Sequence, residues 1–271
     1  MSTSSETTTT FREACLWQEE AQRFDRMLGP FGDVALAACR PAPGDRVLDV
    51  GCGAGATTIA AARLVEPRGR AVGVDVDRGM IEVAKARALD LANVDLVVAD
   101  AATFRDPAGF DVVLSRFGMM LFAEPAAAFR AIAAAARPGA RIAYVTWTRP
   151  EENLWFALPY RAAGLEAPRS EAGPVGLADP DRNARLLSQA GWADVDVRPL
   201  ERATWVGRDL SDALAFLRRS LTHRLDPDTM RSVLDAAAGL LEPHVRPGGV
   251  ELPGVALLCT ARMSRDERDR P

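Results

Sequence analysis

The stretch Arg46–Gly55, RVLDVGCGAG, limits what this chain can fold into more than any other. An apolar run holding one acid, Asp49, meets glycines at 51, 53 and 55 and then the helix-forming ATTIAAARLV. A short apolar run followed at once by glycines and a helix is the pattern of a buried parallel strand entering a strand-to-helix turn. Glycine there allows close approach of the backbone to a ligand, or the positive φ that a tight turn requires. The helix after it offers unpaired N–H groups and a partial positive charge on the ligand side. The stretch predicts a nucleotide-type site at the carboxyl end of the first strand of an α/β sheet.

Glycines alone do not choose the ligand. Gly51, Gly53 and Ala56 also satisfy the relaxed pattern GxGxx(G/A), so a dinucleotide-dependent oxidoreductase stands beside any other reading. With 271 residues, 48% of them hydrophobic, the chain has the length for one large domain, alone or with an insertion. A net charge of −4, with arginines interleaved among acids, argues against nucleic acid as a partner. The cysteines Cys15, Cys39, Cys52 and Cys259 form no CxxC and have no histidine at metal-ligand spacing, so no metal site and reduced thiols are expected. MSTSSETTTT lacks the basic and apolar regions of a signal peptide, and no apolar run reaches the roughly 18 residues that span a membrane. The expectation is a cytoplasmic protein, monomer or homodimer, acting on a small molecule away from membranes.

Along the chain, Phe11–Cys39 carries apolar residues at helical spacing and predicts two helices broken at Gly29-Pro30. A regular alternation follows. Strands are predicted at Arg46–Val50, Ala71–Asp75, Val94–Ala99, Phe110–Ser115 and Arg141–Thr146, with helices at Ala56–Leu64, Arg78–Leu89 and Pro125–Ala136. Short apolar strands joined by crossover-length connections imply a parallel, doubly wound sheet. After Trp147 the rhythm stops. Helices are predicted at Arg182–Ala190, Leu210–Leu221 and Asp228–Val245, with late strands at Ala193–Trp205 and Val250–Met263 suited to antiparallel pairing at the sheet edge.

Three successive strands deliver an acid to one rim. Asp75 ends the second strand, where a carboxylate accepts both hydroxyls of a ribose; Asp77 sits better as the cap of the next helix. Asp100 ends the third, where it either faces an adenine amine or caps the turn that follows. With Asp49, these carboxylates suit a ligand bearing cationic and hydroxyl groups and suit a pyrophosphate badly.

On these residues the chain resembles the class I S-adenosylmethionine-dependent methyltransferases, and within them a small-molecule branch similar to the ubiquinone/menaquinone C-methyltransferases. The resemblance rests on VLDVGCGAG, VGVDVDRGMIEVAKARA, VVADAATF, FDVVLSRFGMMLF and RPGARIAYVTW, which lie in order across residues 44–147. It implies S-adenosylmethionine as cofactor and S-adenosylhomocysteine as product. It implies a seven-stranded sheet of order 3-2-1-4-5-7-6 with strand seven antiparallel. By position it implies that Gly51, Cys52 and Gly53 admit the aminocarboxypropyl arm with Asp49 near its ammonium. Asp75 would hold the ribose, Val76 and Met80 would flank the adenine, and Asp100 and Ala101 would face its amine. Ser115 and Arg116 would flank the methionyl side. The implied layout is a tail at 1–10, N-terminal helices and lid at 11–40, and a cofactor-binding Rossmann-like core at 41–149. A helical cap with a late strand follows at 150–249, then the final strand at 250–263 and a tail at 264–271.

The family places its acceptor under a lid from the N-terminus and the segment after strand five. There this chain holds Trp17, Phe24, Phe117, Met119, Met120, Trp147, Trp155 and Tyr160, which suit a flat or greasy small molecule of the kind met in secondary metabolism. Methyl transfer mainly needs positioning and desolvation of the nucleophile, and a base only where a proton must leave. His223 and Tyr160 are the residues singled out for that proton, with Glu124 behind them. The same fold also hosts non-methylating proteins such as cyclases.

Overall fold

The computed structural model describes residues 16–166, 176–222 and 225–264. The tail expected at 1–10, nearly all of that at 264–271, and His223 lie outside them. By internal packing the described residues fall into two units: one from those up to 30, from 149 to 166 and between 201 and 255, the other from 31–148, 176–200 and 256–264.

The second unit carries the βα alternation. Its strands are β1 (Arg46–Val50), β2 (Arg70–Asp75), β3 (Val94–Val98), β4 (Phe110–Arg116) and β5 (Ala136–Trp147). Its helices are α2 (Ala56–Val65), α3 (Arg78–Arg87), α4 (Pro125–Ala135) and α6 (Pro180–Gln189). Val47, Leu48, Val72, Val74, Val112, Val113 and Leu114 are all buried, which is why these segments read as continuous apolar runs rather than alternating ones. α2 packs on β1 and β2, and α3 on β2 and β3. Asp77 caps α3, its carboxylate accepting from the Met80 amide, as its position predicts.

The sheet has eight strands in the order β3-β2-β1-β4-β5-β8-β6, with β6 at Trp192–Gly207 and β8 at Gly249–Met263. β1 pairs in parallel with both β2 and β4, β2 with β3, and β4 with β5. β8 runs antiparallel to β5, from Arg141 opposite Arg262 to Trp147 opposite Ala256. This is the expected order, with β8 as the expected seventh strand. The eighth strand is the two-residue β7 (Val245–Arg246), folded back on the start of β8 through Pro247-Gly248.

One expectation is corrected. Ala21–Cys39 forms a single helix, α1, running through Pro30. Proline removes one backbone bond and costs roughly 3 kcal/mol inside a helix. The stripe Ala21, Phe24, Met27, Leu28, Phe31, Ala35, Leu36 and Cys39 keeps its three-and-four spacing across Pro30, and every member is buried. Burial of that stripe outweighs the local penalty.

In the first unit, α5 (Leu154–Ala162) and α7 (Leu210–Leu221) each pack on α8 (Pro227–Leu241). Asn153 holds the start of α5 to β8: its amide donates to the Val255 carbonyl and its Oδ1 accepts from the Val255 amide, both at 2.9 Å. Arg23 is the polar hub. It donates to Glu20 (2.8 Å), to Asp212 (2.9 Å) and to the Val206 carbonyl (2.7 Å), and its guanidinium lies 4.9 Å from the Phe216 ring centre. No described helix is long and apolar enough to cross a membrane.

Candidate functional site

In strand order β1 lies between β2 and β4, so the chain leaves β1 at the point where the order reverses. Open α/β sheets place their ligands at such a point. Every residue predicted to hold the cofactor belongs to the second unit.

The turn after β1 faces inward. The amides of Gly51 and Cys52 both donate to the Val74 carbonyl at the end of β2, at 2.9 and 3.1 Å. The Gly53 amide donates to Asp75 Oδ2 at 2.9 Å, and the Gly55 amide closes on the Cys52 carbonyl. An anion cradle needs such amides directed at the ligand. Here they are committed within the protein, which disfavours the pyrophosphate of a dinucleotide.

Asp75 joins the two strand ends. Its Oδ2 takes the Gly53 amide and its Oδ1 the Asp77 amide, leaving a further lone pair on each oxygen. Burial pushes its pKa up, against the pull of those amides. Val76 beside it is 72% exposed, an apolar side chain standing open at the strand end. Met80 lies on the turn: a Cβ at Gly53 would come within 3.3 Å of its methyl. Asp100 is exposed and takes the Ala102 amide at 2.8 Å, so it caps its own turn; Ala101 is buried behind it.

Asp49 does not reach the rim. It has no exposed surface, and its Oδ2 accepts from the hydroxyls of Thr57 and Thr58, each at 2.6 Å. Its Oδ1 is buried with no hydrogen-bond partner. Burial raises its pKa to about 6, opposed by the two hydroxyls and by the charge of Arg116. Burial also raises the Cys52 thiol, which stays neutral.

Ser115 is likewise sealed. Its hydroxyl donates to the Val50 carbonyl (2.7 Å) and accepts from the Gly118 amide (3.2 Å), clipping the turn after β4 onto β1. Gly118 and Gly51 then meet backbone to backbone, a contact that leaves no room for a Cβ on either. Arg116 packs its aliphatic stem against Gly32 of α1. Thr57, Thr58 and Gly118 escape motif reading because their partners lie on other elements.

The residues predicted for the acceptor are divided between the units. In the second, Phe117 stacks on Trp147 (ring centres 4.0 Å, planes 12° apart), with Phe31 edge-on to both. Phe117 holds this position with φ at 62°, a strained backbone for a bulky residue. Met119 is wholly buried, and Met120 is buried with its sulfur 3.6 Å from the Thr146 hydroxyl. In the first unit, half-exposed Trp17 stacks on buried Phe24, while Trp155 and Tyr160 each neighbour Phe156 on α5. Among the described residues no cluster of His, Cys, Asp and Glu is arranged to hold a metal ion.

Comparison with known proteins agrees with this geometry. The profile of the family described as "Methyltransferase domain" matches residues 47–139, from β1 to the start of β5. The Nocamycin O-methyltransferase of Saccharothrix syringae is 33% identical over 276 aligned positions, covering 89% of this chain and 97% of that protein. The Aklanonic acid methyltransferase DauC of Streptomyces sp. (strain C5) is 33% identical over 137 positions, covering 48% of this chain and 62% of DauC. The solved structure of a putative methyltransferase from Bacillus halodurans shares the fold, with a TM-score of 0.56 at 17% identity over 86% of this chain and 98% of that one. The site suits the group that the family uses: a glycine loop whose amides are turned inward and carboxylates at the strand ends favour a cationic nucleoside over a pyrophosphate. The chain belongs to the class I S-adenosylmethionine-dependent methyltransferases.

Proposed function

We propose that this enzyme methylates a hydroxyl oxygen on a small, largely apolar or aromatic organic acceptor. The observation that carries the cofactor side is Asp75, whose two oxygens each hold one turn amide and keep a lone pair for a ribose hydroxyl. Val76 and Met80 flank the adenine in this reading, Asp100 and Ala101 face its amine edge, and Gly51 and Gly53 admit the aminocarboxypropyl arm. Ser115 shapes the turn rather than touching the ligand, because its hydroxyl is already engaged on both sides. S-adenosylmethionine supplies an electrophilic methyl group on a sulfonium.

The protein's own work is to orient the acceptor and exclude water. The stacked Phe117 and Trp147 favour a flat, apolar partner. The near full-length similarity to an enzyme named as an O-methyltransferase supports oxygen as the atom attacked. Loss of the hydroxyl proton is proposed for Tyr160 or His223.

The test is calorimetry with S-adenosylmethionine, S-adenosylhomocysteine and NADH, followed by a screen of phenols, enols and aliphatic alcohols for methylated product. Binding of the first two and turnover on a hydroxyl acceptor supports the reading. Binding without turnover on any acceptor points to a non-methylating protein, and binding of NADH alone overturns the cofactor.

A further inference from the structure

Phe117 follows β4 directly and precedes Gly118, which meets Gly51 at the turn after β1. The backbone on both sides of it is pinned. Its own amide donates to the Val145 carbonyl at 3.1 Å, and the Gly118 amide donates to the Ser115 hydroxyl at 3.2 Å. Between those two fixed amides Phe117 is left with φ at 62°. Glycine takes that angle freely, whereas a phenylalanine is strained by it. Such an outlier at the edge of a ligand site points to a function for the side chain it aims. The ring lies flat on Trp147, and Phe31 of α1 stands edge-on to both, with ring centres 5.5 and 5.1 Å away. All three residues are buried and belong to the second unit. The turn that continues from Phe117 is apolar as well, with Met120 buried and Leu121 62% exposed.

We infer that Phe117 is a specificity-determining residue. Fixed by its backbone and backed by Trp147 and Phe31, its ring is a rigid wall that selects acceptors whose hydroxyl sits on a fused aromatic ring system over saturated alcohols of the same outline. The inference rests on the function proposed above and narrows its acceptor class. A ring that is already immobile loses little freedom when a ligand docks against it. Its π-system favours a second aromatic ring in offset or edge-on contact, beyond the gain from buried area alone. A puckered saturated ring system buries comparable area and gains none of that directional attraction. Leucine at this position offers similar bulk and no π-system, so the ring's share of the selection is separable from its packing.

The experiment is titration calorimetry with 2-naphthol and with its saturated counterpart, decahydro-2-naphthol, on protein loaded with S-adenosylhomocysteine. The wild type, Phe117→Leu, Phe117→Gly and Phe117→Tyr are compared. The wild type is expected to bind the flat probe about five-fold tighter than the puckered one. Phe117→Leu brings the two affinities close to parity. Phe117→Gly relieves the backbone and loses the preference too, which separates the ring from the strain, while Phe117→Tyr keeps it. The hydroxyls of the two probes differ equally for every variant, so the change in the ratio reports the ring. Should the leucine and glycine variants fail to fold, the wild type and Phe117→Tyr decide, since both are expected to prefer the flat probe. A wild type that binds neither probe, or binds both alike, overturns the inference, as does a leucine variant that weakens both probes by the same factor. Failure of S-adenosylhomocysteine to bind the wild type is a separate result, which removes the cofactor reading itself.

Discussion

Gly51 and Gly118 meet backbone to backbone: a Cβ on Gly51 would lie 2.8 Å from the Gly118 Cα, and one on Gly118 would lie 2.9 Å from the Gly51 Cα. The two turns that leave β1 and β4 thus touch at the point where the strand order reverses. Gly51 also needs its positive φ of 66°, whereas Gly118 has an ordinary φ of −84° and is glycine for space alone. The torsional strain of this second turn is carried next door by Phe117.

Gly118→Ala follows directly. Its Cβ would overlap the Val50 carbonyl oxygen, in backbone that has no flexible end to move. The expected loss is about 2–3 kcal/mol, read by chemical denaturation, together with weaker cofactor binding as the two turns separate. Unchanged stability and affinity refute the contact.

Asp75→Ala removes the carboxylate that holds the Gly53 and Asp77 amides. Cofactor affinity is expected to fall by about 1–3 kcal/mol in calorimetry, through lost ribose bonds and a looser turn. Affinity within error of wild type shows that the ribose lies elsewhere.

Asp49 links folding to pH in the unusual direction for a carboxyl. Its native pKa is raised to about 6, above the ordinary carboxyl range of the unfolded chain. Between those values the native state holds the proton that the unfolded state has released, so this group's contribution falls as pH rises through the window. Asp49→Asn keeps an acceptor for the threonines and removes the titration. Denaturation at pH 4.5 and 7.5 is expected to show the variant gaining on wild type by about 2 kcal/mol at the higher pH.

Arg23 and Asp212 supply the opposite case. The hydrogen bond from Arg23 holds the Asp212 carboxyl down to about 2. A depressed native pKa contributes stability above the ordinary carboxylate range, and that stability drains away as pH falls toward 2. Arg23→Ala is expected to cost about 2 kcal/mol at pH 7, since it also strips the Val206 carbonyl and the Phe216 ring of their partner. The cost shrinks at pH 3, and thermal melts at the two pH values measure the difference.

Local chemistry made much of this protein legible from its chain alone. The apolar runs of β1 to β5, the glycines of RVLDVGCGAG and the capping position of Asp77 each act within a few residues of themselves. Their roles follow from steric rules and periodicity. Pro30 misled because a proline is a local signal, whereas the buried stripe that carries α1 through it is held by contacts along the whole helix. The two-residue β7 was invisible for the converse reason: it exists only because β8 offers it a partner.

The site divides in the same way. That acids end the first three strands is a property of the sequence. Which of them stays open at the strand ends depended on burial, because a carboxylate's role turns on how much water reaches it. Asp75 stands at the strand ends holding the turn, Asp100 caps its own turn, and Asp49 is sealed under two threonines eight and nine positions further along. Ser115 and Gly118 mattered only once β4 lay beside β1. Sequence determined the fold and the kind of ligand through local conformational preference, and tertiary structure decided which charge is exposed and which is stored, because desolvation belongs to the packed assembly and to no residue alone.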